Sequence, residues 1–283
     1  MRVAFWSYDT KLWGISSYLV AISVASVIKY PYSIVILESH LKSNNLGDIL
    51  KNNVRDTLLL KEPSCNYYEG CGIEGLVRKI YRGDIYPELL NLYITEVLQD
   101  HLYYIPQSRV IHNRIFEYEF NQCLHSMISL LEQQYDLCFI DIAYQKNLNT
   151  KAILELSDLI VVHLSQNPDA IVNFVKNYPS IISKSLFLIN KTSGQSLIKV
   201  KNIFLKYQIP LDRLVLIPDN EMLKEAWHGG ELIDFISRYY YCGQEDPNYL
   251  FIRSIRKATE TIMKVMETGL NIRSEEAFLC GQL

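Results

Sequence analysis

Two short stretches hold residues whose types and spacing suit phosphate and cation chemistry. The first is Asp9-Thr10-Lys11-Leu12-Trp13-Gly14-Ile15-Ser16-Ser17, set between an apolar run and an apolar helical segment. A phosphate-binding loop in that position reads G-x-x-x-x-G-K-[ST]. Its glycines open the backbone to phosphate, its Lys compensates charge, and its hydroxyl reaches Mg²⁺. Here Asp9 stands at the first glycine, Gly14 and Ser16 keep their places, and Ile15 replaces the Lys. On their own, Gly14 and Ser16 equally describe a plain turn with Ser16 capping the next helix. The second stretch, 137–142, carries Asp141 at its end, a carboxylate suited to holding Mg²⁺ through water or to capping a loop at the edge of a sheet.

The elements that must position these groups follow an alternating pattern. Strand-like apolar runs occur at 2–7, 33–37, 102–105, 137–142, 159–164, 185–190 and 214–217. Helix-like segments lie between them at 16–30, about 72–98, 117–135, 151–156, 168–178, 198–207 and 249–266. Alternation of this kind builds βα units and a parallel sheet, and unbroken apolar runs are what strands covered on both faces require. The expected fold is a single α/β domain over 1–283. It is a mostly parallel, doubly wound sheet of about seven strands flanked by helices, like that of P-loop NTPases, with the loop 8–17 at the carboxyl end of the sheet.

Composition narrows the function classes. Hydrophobic residues make up 49% of the 283 and charged residues 21%, enough apolar surface for a sizeable core. The longest apolar run, 18–28, is too short to cross a bilayer, and the first residues lack the pattern of a secretory signal, so a cytoplasmic protein is expected. Cys65, Cys71, Cys123, Cys138, Cys242 and Cys280 are scattered as reduced thiols would be, without a second close pair to complete a zinc site. A net charge of −3 gives no general attraction for nucleic acid, so DNA binding would need a local patch. Arg253, Arg256, Lys257 and Lys264 on the last helix are the candidates, although such bases ordinarily form a solvated face.

Beyond the loop, the order and spacing of segments resemble the ParA/MinD superfamily over nearly the whole chain. Ile36-Leu37-Glu38-Ser39-His40 falls where that family has an apolar strand ending in Asp-x-Asp, and Leu102 to Pro106 looks like its strand entering a Pro-containing loop. Tyr135 to Asp141 resembles its Walker B strand, Ser157-Asp158-Leu159-Ile160-Val161-Val162 its "ADxVxxV" strand, and Phe187 to Lys191 its strand ending in an Asn that recognises the base. Ile217-Pro218-Asp219 through Glu225-Ala226-Trp227-His228-Gly229-Gly230 resembles its "IPxD…EAxxxG" segment.

The resemblance implies paired subunits enclosing two ATP molecules, with an early P-loop lysine reaching the partner's phosphates. That position is Thr10 here, and Lys11 follows it. The nucleotide-binding residues implied are Lys11, Gly14, Ser16, Ser17, Glu38, Asp141, Asn190 and Pro218, with Ser16 and Asp141 as the Mg²⁺ ligands. The catalytic Asp of the family is His40, and a neutral imidazole does not orient water as a carboxylate does. ATP and Mg²⁺ are therefore expected to bind weakly or not at all, with hydrolysis weak or lost and no catalytic residue assigned. The implied role is a homodimeric positional adaptor or scaffold, by analogy with the TadZ/CpaE group that helps place type IV (Tad) pilus or secretion machinery. Members of that group often carry an N-terminal receiver-like domain, which is not expected here. The loop carrying Lys11 and Trp13 is expected at the dimer contact, with packing of Trp13 against its own helix as the alternative. The alternative is an active partitioning ATPase of ParA type that binds DNA. A MinD-like membrane-surface ATPase fits least, because 274–279 is acidic rather than basic.

Overall fold

A strand buried on both faces must be apolar at every position, and the runs with that composition make the centre of the molecule. The computed structural model describes residues 1–9, 14–41, 45–50, 72–107, 113–142, 148–191 and 194–280. In chain order the elements begin with β1 (Arg2–Ser7), α1 (Ile15–Lys29), β2 (Ile34–Glu38), α2 (Leu46–Ile49), α3 (Ile73–Tyr81), β3 (Thr95–Leu98) and β4 (Leu102–Tyr104). They continue with α4 (Asn113–Gln134), β5 (Leu137–Asp141), α5 (Leu148–Leu156), β6 (Leu159–Leu164), α6 (Pro168–Asn177), β7 (Ser185–Lys191) and α7 (Gly194–Lys206). Last come β8 (Leu214–Pro218), α8 (Glu221–Gly229), α9 (Leu232–Tyr239) and α10 (Tyr249–Cys280).

The eight strands form one sheet in the order β3-β4-β2-β5-β1-β6-β7-β8. Every pairing is parallel except that of β3 with β4. Alternate side chains divide between two cores. Val3, Phe5, Ile34, Ile36, Leu137, Phe139, Leu159 and Val161 pack with α1, α9 and α10 on one face. Ala4, Trp6, Val35, Leu37, Cys138, Ile140, Ile160 and Val162 pack with α3, α4 and α6 on the other. Helix α1 lies between the sheet and the outer helices, which is why its apolar residues run all round it. Its buried Ser23 and Ser26 hydroxyls donate back to the carbonyls of Leu19 and Ile22.

The sheet has one strand more than the expected seven, and the difference lies in the middle region. Residues 72–98 are not one helix. α3 ends before Gly83, whose φ of +97° no L side chain adopts readily, and Pro87 then opens a 3₁₀ turn. The β-branched Thr95 and Val97 form β3, an antiparallel edge strand with alternating burial. The helix-like segments expected from the sequence also omit α8 and α9, α8 falling within the motif that runs from Ile217 to Gly230. Gly72 is held at φ +75° against the Pro106 carbonyl, which accepts from the Ile73 N–H, and a methyl group there would meet that oxygen at 2.1 Å.

At the amino end of the sheet, Asp158 pins β6 to β1. Its carboxylate accepts from the Arg2 backbone N–H (2.7 Å) and from the Arg2 guanidinium (3.2 and 2.8 Å). Burial pushes the Asp158 carboxyl up, but the hydrogen bonds and charge of Arg2 outweigh it and hold it below the usual carboxylate value. Asp158→Asn is expected to weaken folding by about 1–2 kcal/mol at neutral pH, the pair being partly exposed. A depressed folded-state pKa contributes stability that is complete above the unfolded value, about 3.9, and is lost as pH falls through the folded value. Urea titrations of wild type and variant should therefore converge only in the acid range. A gap independent of pH would contradict this.

Candidate functional site

On the face covered by α1, each central strand ends its row of buried side chains in a polar residue. Ser7 follows Val3 and Phe5, Glu38 follows Ile34 and Ile36, and Asp141 follows Leu137 and Phe139. His163 and Asn190 end the equivalent rows of β6 and β7. The first turn of α1 lies over these ends, because the chain leaves β1 at the point where neighbouring strands diverge to either side.

Gly14 begins α1 at φ +122°, and its carbonyl accepts from the Tyr18 N–H (2.8 Å) and the Ser17 hydroxyl (2.9 Å). A methyl group on Gly14 would come within 3.1 Å of the Tyr18 ring. The Ser17 hydroxyl thus serves its own turn, whereas Ser16 donates to Asp141 Oδ2 at 2.8 Å. Ile15, at the lysine position of a P-loop, is 9% exposed and belongs to the core under α1. Lys11 and Trp13 lie outside the described residues, as do Thr10 and the turn 143–147 that follows Asp141.

Glu38 and Asp141 are direct partners in the parallel register of β2 and β5. Each is 1% exposed. Glu38 accepts from the Tyr104 hydroxyl (2.5 Å) and the Leu46 N–H (3.2 Å), while burial pushes the Tyr104 phenol well up and keeps it a donor. Both the N–H and the hydroxyl of Ser39 donate to the Asp141 carbonyl at 3.0 Å. Gln107 donates to the carbonyl of His40 at 2.5 Å. His40 is thereby fixed beside the carboxylates, and one donor atom from each of Glu38, His40 and Asp141 lies within 4.8 Å of the other two.

Asn190 shares this face, but its side-chain carbonyl is occupied within the protein. It accepts from the Tyr18 hydroxyl (3.1 Å) and faces His163 Nε2 at 2.9 Å. Burial lowers the His163 pKa, so the ring is neutral at pH 7 and donates through Nε2 to this acceptor. Pro218 ends β8, half-buried and opposite Lys191 in register. The structure thus brings Gly14, Ser16, Glu38 and Asp141 together and puts Pro218 at the end of the outermost strand. Sequence reasoning missed Tyr18, Tyr104, Gln107 and His163. Of these only His163 left a signal, as a polar residue inside an apolar strand run.

For Mg²⁺, the Ser16 hydroxyl and the two carboxylates offer hard oxygen donors of the right class, whereas the His40 nitrogen does not. The fit to a nucleotide is poorer: Ile15 supplies no charge for phosphate, and the Asn190 carbonyl is already engaged by two groups.

No family model matches the chain, and no curated protein matches its sequence significantly. Solved structures do match it. A ParA family ATPase from Chlorobium tepidum TLS superposes with a TM-score of 0.65 at 13% identity, over 91% of this chain and 98% of that one. The septum site-determining protein MinD of Pyrococcus horikoshii OT3, complexed with Mg-ADP, gives 0.64 at 14% identity over 92% and 95%. A putative plasmid partition protein from Borrelia burgdorferi B31, bound to AMPPNP, gives 0.62 at 13% over 93% and 98%. These likenesses establish the fold.

Removing the Tyr104 hydroxyl tests how the site is held. Tyr104→Phe takes a donor from Glu38 and an acceptor from the Gly47 N–H, which lies 3.1 Å away. The expected cost is about 1–3 kcal/mol in urea unfolding, the usual range for stripping a partner from buried polar groups. A variant as stable as wild type would show that this hydroxyl does not position Glu38.

Proposed function

We propose that this chain, whose fold is that of the ParA and MinD ATPases, is a positional adaptor or scaffold in which ATP hydrolysis is weak or lost. The observation that carries this reading is Ile15. At the residue where a P-loop places its phosphate-neutralising lysine, the side chain is apolar and buried in the α1 core. A charged hydrogen bond to phosphate contributes about 1.5–3 kcal/mol, and an isoleucine supplies none of it. His40 compounds the loss. Phosphoryl transfer depends on positioning and electrostatic stabilisation, and a neutral imidazole in place of a carboxylate holds the attacking water less well.

What remains is a shape. Ser16, Glu38 and Asp141 are joined by internal hydrogen bonds that tie the start of α1 and the ends of β2 and β5 to their neighbours. A homodimer formed through that end, with Lys11 and Trp13 at the contact, suits a protein that is read by partners rather than one that turns over. The partner class we favour is a component of type IV (Tad) pilus or secretion machinery, an analogy at the level of the superfamily.

Steady-state ATP turnover is expected at background. Ile15→Lys should tighten ATP binding by about 10- to 100-fold, the equivalent of one charged hydrogen bond, while turnover stays low. Paired catalytic functions are strongly non-additive, and position 40 would still lack its carboxylate. Ile15→Lys combined with His40→Asp is the variant expected to gain activity. Isothermal titration with ATP and Mg²⁺, followed by a phosphate-release assay on the same samples, decides the matter. Wild-type turnover at the rate of an active ATPase, lost in Lys11→Ala, would overturn the adaptor reading.

A further inference from the structure

The chain is acidic overall, with a net charge of −3, but its charges are not evenly spread. Between Asp169 and Asp212 there is no Asp or Glu, while Lys176, Lys184, Lys191, Lys199, Lys201 and Lys206 all fall in that stretch. A segment with one sign of charge and none of the other makes a local field that the net charge conceals. Lys184 is used inside the fold, donating to the carbonyls of Glu155 and Ser157, whereas Lys199, Lys201 and Lys206 lie exposed on α7. Among the described residues none of these three is in an ion pair, and Lys206 lies over the Tyr207 ring at 5.8 Å.

The same helix carries aliphatic side chains on its outer face. Val200 and Phe204 are buried against the sheet with Ile203 packed beside them, which accounts for the inner face. Ile198 and Leu205 are 64% and 61% exposed. Seven residues make two turns, so these side chains stand about 20° apart around the helix and about 10 Å apart along it. Lys201 and Asn202, three and four residues after Ile198, lie between them and flank the stripe. A single exposed leucine is ordinary, but two aliphatics at heptad spacing, bordered by lysines outside any ion pair, form a seam.

We infer that the outer face of α7 docks an acidic amphipathic helix of a partner protein, with the partner's aliphatic side chains on Ile198 and Leu205 and its carboxylates on Lys199, Lys201 and Lys206. Charge complementarity and the width of the stripe select this occupant. A stripe one side chain wide at heptad spacing is the seam of paired helices, whereas lying in a lipid surface takes a broad apolar face. Nucleic acid would set phosphates against two exposed aliphatics, and α7 has no arginine to fork onto a phosphate. Apolar contact supplies the affinity, and the lysines the rate and register of approach. This face lies across the sheet from α1 and its site. It adds a partner surface to the adaptor reading without resting on it.

The test uses the full chain and a fluorescently labelled peptide of about three heptads, with Leu at a and d and Glu at e and g, the glutamates opposing its self-pairing. Fluorescence anisotropy should show saturable one-to-one binding that weakens as salt is raised. The same peptide with Lys in place of Glu should bind about 10-fold or more weakly. Ile198→Ser with Leu205→Ser should weaken binding of the Glu peptide by about 10-fold or more while Tm is unchanged, both side chains being exposed. Lys199→Glu with Lys201→Glu should invert the preference in favour of the Lys peptide, which misfolding does not do. Absent binding of the Glu peptide by the wild-type chain, or binding unchanged in the serine pair, overturns the proposal. So does binding to vesicles of phosphatidylglycerol and phosphatidylcholine that the serine pair abolishes, which would make the face a lipid surface, or binding to a DNA duplex that the glutamate pair abolishes. Brisk ATP turnover by the same preparation would overturn the adaptor reading and leave the docking face intact, while absent peptide binding with background turnover would do the reverse.

Discussion

The direct opposition of Glu38 and Asp141 across β2 and β5 is the constraint to which the neighbouring elements answer. Register makes it unavoidable. Ile34 pairs with Leu137 at one end of the ladder, and counting in parallel along both strands brings the two acids level at the other. Burying a carboxylate is costly unless its lone pairs find donors, and here the donors come from three different elements. α1 sends the Ser16 hydroxyl, β4 the Tyr104 hydroxyl and α2 its first N–H, from Leu46. One electrostatic demand therefore bears on where a central helix begins, on a strand near the sheet edge, and on a short helix whose Leu46 and Ile49 also pack into the core.

How much of this the sequence discloses depends on how local the determinant is. Strands covered on both faces need apolar residues at every position, so β1, β5, β6 and β7 are legible as unbroken runs. β3 is not, because an edge strand of four residues buried on alternate positions looks like the irregular end of a helix. α9 buries Leu232, Ile233, Phe235 and Ile236 and exposes Asp234 and Arg238, a helical pattern too short to stand out from the segment before it. In the site, Gly14, Ser16, Glu38 and Asp141 are readable from their places at the ends of elements. Tyr18, Tyr104 and His163 are not: they meet their partners across 172, 66 and 27 residues of chain, and only the folded sheet brings them together.

The same kind of long-range contact holds the first turn of α1 against the sheet. Position 14 suits glycine twice over, because its φ is positive and because the Tyr18 ring closes the space where a side chain would stand, and Tyr18 is itself tied to Asn190. Asn190 in turn faces His163, whose burial keeps it neutral and fixed as a donor. Acceptors and donors that could meet a base are thus spent on joining α1 to β6 and β7. A chain of internal partners rigidifies whatever it connects, and it does so with or without a ligand.

Position 15 shows which contribution prevails. A lysine at the start of a helix buried on all sides must carry its ammonium out to phosphate or water, and without phosphate it adds little to folding. An isoleucine there joins the core under α1, and burying such a side chain contributes about 1.5–3 kcal/mol. That is the same size as the charged hydrogen bond it forgoes. The exchange is therefore close to neutral for stability when phosphate is bound and favourable when it is not. A sequence that keeps Ile15 is matched to a molecule that spends its time with that end of the sheet held by its own side chains.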